Sequence, residues 1–284
     1  MSAPVHPALP FRGRFGAPRP SALDGLPLPP APMPSRHGSR PLKAWRYVGV
    51  FAPELMVCAA VVRVGPARQC FWAVWDRQRR RLYEQTRLLR NTVSLGPGFV
   101  RVHDGAISVE LELSEAAGIE SICASGASYA WTRKQGGIDA SGTVSIDGAR
   151  QAVRARAVVD DTAAYYERHT SWCWSAGVGF VSDGRPVAWN LVDGVNDPPR
   201  GSERTVWIDR EPFEAPPVVS FASDLSAVDG LRFSPEATRE RRENLVVVRS
   251  SYVQPFGTFS GSLPGGLGEL IEGFGVMERH DAWW

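Results

Sequence analysis

An all-β fold of antiparallel strands is what this sequence predicts, and three observations carry the prediction. Apolar and polar residues alternate with a period of two in several stretches. Asp-Gly pairs beginning at Asp104, Asp147, Asp183, Asp193 and Asp229 punctuate those stretches, and this dipeptide suits the positive φ of tight hairpin turns. Helical signals are scarce, and the βαβ spacing of a parallel sheet is absent.

Taken in order, residues 1–40 hold ten of the 23 prolines, so they predict an extended or disordered polar arm that folding can do without. Structure is expected to begin near Leu42, in Leu42-Lys-Ala-Trp45-Arg-Tyr47-Val-Gly-Val-Phe51. Ile107, Val109, Leu111 and Leu113 alternate with Ser108, Glu110, Glu112 and Ser114, a strand with one wet face. Val144 and Ile146 alternate with Thr143 and Ser145, and Val153, Ala155, Ala157 and Val159 form an apolar row against Arg154 and Arg156. The segment from Ser234 to Arg242 admits one helical turn or a strand. These elements fit a sandwich, one large barrel or two smaller barrels, and a length of 284 residues favours two β units meeting near residue 160. The expected organisation is an arm at 1–40, a β unit at 41–160 and a second at 161–284.

Composition narrows the function. A hydrophobic content of 43% supports a real core, and 10 Trp with 12 Phe must find places to pack. The formal net charge of +2 is too balanced for a polyanion-binding protein, so no nucleic-acid partner is expected. The local run Arg77-Gln-Arg79-Arg80-Arg81 reads as a solvated hairpin rim, with an anionic surface as the alternative. Cys58, Cys70, Cys123 and Cys173 show no C-x-x-C spacing, which points away from zinc and toward a reducing, cytoplasmic setting. The longest apolar run, residues 55–62, is too short to span a bilayer, and no signal peptide is recognisable. Nucleophile-elbow, Walker and dinucleotide-binding motifs are missing, and the adjacent His280-Asp281 pair lacks further ligands, so neither metal nor cofactor is expected.

The richest stretch is His169-Thr-Ser-Trp172-Cys-Trp174-Ser-Ala-Gly, followed by Asn190-Leu-Val-Asp193-Gly-Val-Asn196-Asp197, Glu203 and Trp207. On one strand Trp172 and Trp174 share a face, and His169 has the opposite parity. The rings either line a ligand pocket or fill a core. His169 reaches the same cavity only if a bulge intervenes between Thr170 and Trp172. Glu203 opens the strand that holds Trp207. An acid beside indole rings at a barrel mouth has its pKa raised by desolvation, the condition for a general acid at neutral pH. The candidate acids are therefore Glu203, His169 and Asp193. The candidate ligand contacts are Trp172, Trp174, Trp207, Tyr165 and Asn190.

Several strings resemble an uncharacterised bacterial family of unknown function, DUF2804. They are Trp45-Arg-Tyr-Val-Gly-Val, Arg87-Leu-Leu-Arg-Asn, the segment from Asp160 to Gly177, Asn190-Leu-Val-Asp-Gly-Val-Asn, Tyr252-Val-Gln-Pro-Phe-Gly-Thr-Phe-Ser-Gly and Gly275-Val-Met-Glu-Arg-His-Asp-Ala. That family is distantly similar to the carotenoid 1,2-hydratase and AttH-like group. The resemblance implies two lipocalin-like, calycin-type antiparallel β-barrel units packed together, with an apolar ligand site. It carries over no reaction. Two readings follow. One is a cofactor-independent enzyme that protonates an apolar, lipid- or terpenoid-like molecule, giving hydration, isomerisation or cyclisation. The other is a non-catalytic lipocalin-type carrier, which needs the same walls without a perturbed acid. A packed scaffold with no pocket is the third possibility.

Overall fold

The computed structural model describes residue 6 and residues 8–88, 90–244 and 249–284. Part of the expected arm (residues 1–5 and 7) and Leu89 of the 87–91 string lie outside the described residues. The strands are, in order, β1 (Phe11–Arg14), β2 (Arg36–His37), β3 (Arg40–Pro41), β4 (Lys43–Phe51), β5 (Leu55–Val64), β6 (Ala67–Asp76) and β7 (Arg81–Leu88). They continue with β8 (Val93–Gly96), β9 (Phe99–Asp104), β10 (Ile107–Leu113), β11 (Ile119–Ser125), β12 (Ser128–Ile146) and β13 (Ala149–Ala164). The rest are β14 (His169–Val181), β15 (Pro186–Asp193), β16 (Thr205–Ile208), β17 (Glu211–Glu214), β18 (Ala227–Val228), β19 (Leu231–Asn244), β20 (Arg249–Ser262) and β21 (Glu269–Trp283).

Among the described residues all strand pairings are antiparallel, and the fold is all-β apart from two single 3₁₀ turns. The first sheet runs β7-β6-β5-β4-β13-β12-β10-β9-β8, with β1 and β11 attached to the first half of β12. The second runs β17-β16-β15-β14-β21-β20-β19-β18. Two antiparallel β-barrel units were expected, and among the described residues the antiparallel sheets are there while neither pairing path closes on itself. The first sheet nevertheless curls over, because Val93 and Val102 of β8 and β9 pack with Val57 and Val74 of β5 and β6. No helix among the described residues is long and apolar enough to cross a membrane.

Local sequence explains the elements. Of the five Asp-Gly pairs named above, four turn β9 into β10, β12 into β13, β14 into β15 and β18 into β19. Asp193-Gly194 instead opens the loop that leads to β16. β10 buries Ile107, Val109, Leu111 and Leu113 and presents Glu110 and Glu112 to solvent, as its alternation predicts. The unbroken apolar run in β5 has a different cause. This strand is covered on both faces, Leu55, Val57 and Ala59 facing the core of the first sheet and Met56, Cys58 and Ala60 facing the second sheet. Residues 234–242 adopt strand, inside β19. Arg77 at the β6–β7 turn pairs with Glu236 at 2.6 Å, and Arg79 with Asp76 at 2.6 Å, so this basic rim is partly neutralised.

The arm departs from expectation. Leu23 and Leu28 are buried against Tyr129, Trp131 and Tyr165, and β1 extends the sheet by pairing with β11. Arg19 reaches the fully buried Glu120 at 2.6 Å. Proline removes backbone donors, but it leaves apolar side chains free to pack, and the composition argument overlooked that.

Candidate functional site

The register of the first sheet places one row of side chains on the face that meets the second sheet. Lys134 of β12 lies opposite Asp160 of β13, Asp160 opposite Tyr47 of β4, Tyr47 opposite Ala60 of β5, and Ala60 opposite Phe71 of β6. Two residues along, Trp45 lies opposite Val62. The second sheet answers with Trp174 opposite Glu278, and Trp172 opposite His280, which in turn lies opposite Tyr252. Between these rows is a cavity of about 220 Å³, walled mostly by aromatic and aliphatic groups. Trp45 and Trp172, one from each sheet, stack at 6.2 Å between centroids with planes 8° apart.

Ionisable groups form one end of it. The Lys134 ammonium contacts the Asp160 carboxylate and lies 3.3 Å from Glu203 Oε2. Asp160 also accepts from Thr162 Oγ1 at 2.9 Å and from Trp45 Nε1 at 3.3 Å. Glu203, 3% exposed, accepts from Asn196 Nδ2 at 3.1 Å. Burial pulls the Lys134 pKa down, but the two carboxylates outweigh it and the net shift is upward, so the ammonium stays charged. Burial raises the Glu203 carboxyl, against the opposing pull of Lys134.

Glu278 is in a different position. Its carboxyl accepts from Trp172 Nε1 at 2.9 Å and from Gln254 Nε2 at 2.8 Å, and no cation among the described residues forms an ion pair with it. Burial pushes its pKa up to about 7, with the charge on Asp160 adding to the effect. Beside it His280 is lowered to about 4 by burial, so the imidazole is neutral at pH 7. It bonds Ser250 Oγ through Nε2 at 2.8 Å. A carboxyl that is half protonated near neutrality, in an apolar chamber, can give up and retake a proton.

Residues 90–284 match the family described as Domain of unknown function (DUF2804). The chain belongs to this family. Among solved structures it resembles kievitone hydratase from Nectria haematococca, at 12% identity over 84% of this chain and 88% of that one, with a TM-score of 0.51. It also aligns with an AttH protein from Nitrosomonas europaea at 13% identity, over 90% of this chain and 98% of that one, with a TM-score of 0.48. At such identities the likeness concerns the fold alone. The family is the one the sequence strings pointed to. No curated protein sequence matches the chain.

Within this DUF2804 fold, the structure brings Glu203, Trp172 and Trp174 together on the cavity wall. Asn190 stands directly behind them. It accepts from Trp174 Nε1 at 2.8 Å and donates to the Glu203 backbone carbonyl at 3.1 Å. The remaining expected residues lie elsewhere. His169 is on the opposite face of β14, stacked on Trp283 and bonded to Asp281 at 2.7 Å. The β14–β21 register is unbroken from His169 to Phe180, so the bulge its convergence required is not there. Asp193 is exposed at the end of β15. Trp207 is buried over Gly136 at the β12 bulge, filling the space a Cβ there would take, and packs between the sheets. Tyr165 is covered by the arm, its hydroxyl donating to the Pro34 carbonyl at 2.7 Å, and its neighbour Tyr166 takes the cavity position.

Lys134, Asp160 and Glu278 were not among the expected residues. A signal for Glu278 exists in the sequence. In β21, Phe274, Val276, Glu278, His280 and Ala282 share one parity, so two polar groups interrupt an inward-facing apolar row. Lys134 and Asp160 gave no such signal, because β12 and β13 are buried on both faces there and their alternation is erased.

Proposed function

We propose that this protein binds an apolar, lipid- or terpenoid-like molecule between its sheets and protonates one of its double bonds with its own carboxylic acid. The two sheets are read as two lipocalin-like units, divided between Ala164 and His169, a few residues beyond the expected 160. The observation that carries the reading is Glu278: a buried carboxyl, in ion pair with no cation among the described residues, lifted to about 7 beside the indoles of the cavity. A carrier gains nothing from burying such a group, and an acid catalyst working near neutral pH requires it.

In the step proposed, the π pair of the ligand takes the Glu278 proton, a C–H bond forms, and Glu278 is left as carboxylate. The cation on the neighbouring carbon faces the indoles of Trp45 and Trp172, whose π faces stabilise positive charge. Return of a proton from an adjacent carbon to Glu278 shifts the double bond. Capture by water, whose proton goes to Glu278, gives hydration. Attack by a second double bond, followed by proton loss to Glu278, gives a ring. Glu203 and Asp160 hold Lys134 in place, and the charge on Asp160 helps keep Glu278 protonated.

The test is deuterium uptake. The protein is incubated in D₂O with a panel of polyenes and prenylated phenols, and the recovered compounds are weighed by mass spectrometry. Uptake that Glu278→Gln abolishes, and that declines as pH rises through about 7, supports the reading. Uptake that survives Glu278→Gln removes the acid. Binding that quenches tryptophan fluorescence and weakens in Trp174→Ala, without any uptake, leaves the carrier.

A further inference from the structure

The wall of the same cavity holds a guanidinium that protonation does not use. Arg239, 3% exposed, projects from β19 to the first sheet. Its Nε donates to Glu84 Oε2 at 2.8 Å, and its Nη1 donates to Tyr252 Oη at 3.1 Å and contacts Cys58 Sγ at 3.8 Å. The Phe71 ring centroid lies 4.4 Å from Cζ, which fixes the plane of the fork. Nη2 has no acceptor among the described residues. Because Tyr252 accepts from the guanidinium, its own O–H remains to be donated.

A second observation points the same way. Tyr47 is 5% exposed and lines the cavity, and its hydroxyl is buried without a hydrogen-bond partner among the described residues. Its neighbours include Arg239, Tyr252 and the Cys58 thiol. Burial raises both phenols well above their ordinary range, so both are neutral donors. A buried polar group rarely goes unpaired in a native protein, so this hydroxyl calls for a partner such as a water, an ion or a bound ligand.

We propose that Arg239, Tyr252 and Tyr47 form an oxyanion-binding subsite, and that the ligand is an apolar molecule bearing one carboxylate or enolate oxygen rather than a plain hydrocarbon. This rests on the reading that the cavity takes an apolar ligand. A buried guanidinium held flat turns toward such an oxygen the Nη2 donors that no described residue accepts from, and its charge strengthens those bonds. Its protein counter-ion Glu84 is half-exposed, so the positive charge is only partly answered. The oxygen end would sit at Arg239 and the apolar body among Trp45, Trp172 and Trp174.

Isothermal titration with 2-naphthoate and 2-methylnaphthalene, two probes of the same shape, tests the assignment. The wild-type protein should prefer the carboxylate on the order of tenfold or more, the range for a hydrogen bond to a charged group. In Arg239→Gln that ratio should fall toward one. In Tyr47→Phe it should fall several-fold, and this variant guards against a folding artefact because the hydroxyl meets no oxygen or nitrogen partner among the described residues and only the Cys58 thiol stands beside it. A wild-type ratio near one, or a ratio unchanged in Tyr47→Phe, overturns the subsite while leaving the cavity reading intact. Failure of both probes to bind overturns the cavity reading together with it.

Discussion

Glu278→Gln should change stability in a way that depends on pH. In the unfolded chain this carboxyl titrates near 4.5, and in the folded protein burial lifts it to about 7. Between those values the folded state keeps a proton that the unfolded state has lost. Stability therefore falls as pH rises from 4.5 toward 7, and the penalty is complete above 7. The gap between the two values corresponds to about 3 kcal/mol, and at 8% exposure solvent screening discounts it little. Gln carries no charge at either pH, and other titrating groups act alike in both proteins. Its amide sets a donor against Trp172 Nε1 or Gln254 Nε2, both already donors, so the variant starts less stable at pH 5. Between pH 5 and pH 8 the difference should move in the variant's favour by about 2 kcal/mol or more. Urea unfolding followed by tryptophan fluorescence at the two pH values measures it. A shift below about 0.5 kcal/mol would refute the claim that this acid is held protonated by burial.

Three further outcomes are expected. Lys134→Met should lower stability by about 3–5 kcal/mol, because Asp160 and Glu203 lose their shared cation in the interior; the loss should be larger at pH 8 than at pH 5, where Glu203 can take up a proton, and an equal loss at both would count against the cluster. Deleting residues 1–34 uncovers Tyr129, Trp131 and Tyr165 and leaves Glu120 without Arg19; thermal unfolding should drop by roughly 5 °C or more, and an unchanged melting temperature would return the arm to its expected dispensable role. His169→Ala should leave ligand affinity untouched, since its partners Asp281 and Trp283 lie away from the cavity; a loss beyond twofold by titration calorimetry would place it back in the site.

The architecture was legible where one face of a strand is wet. β10 and most of the Asp-Gly turns follow from alternation and turn chemistry alone. The site was half legible. Trp172 and Trp174 could be placed on one face by parity, and Glu203 by its position before Trp207. The rest depended on pairings between distant segments. Nothing local connects Lys134 to Asp160, which face each other across two strands buried on both sides. Trp207 and Tyr165 were misplaced for the same reason: a bulky ring looks identical in sequence whether it lines a chamber, caps the glycine at a bulge or supports a proline-rich arm.

The bond between Trp172 and Glu278 joins residues 106 positions apart. On the ribosome, at roughly 5–20 residues per second, the indoles of β14 emerge several seconds before the acid on β21. Throughout that interval the indoles of β14 lack the strand that pairs them with β20 in the second sheet. Because β21 joins β14 to β20, the second sheet can face the first as one surface only once this strand has paired, so the wall of the cavity and its buried acid arise in the same step of folding.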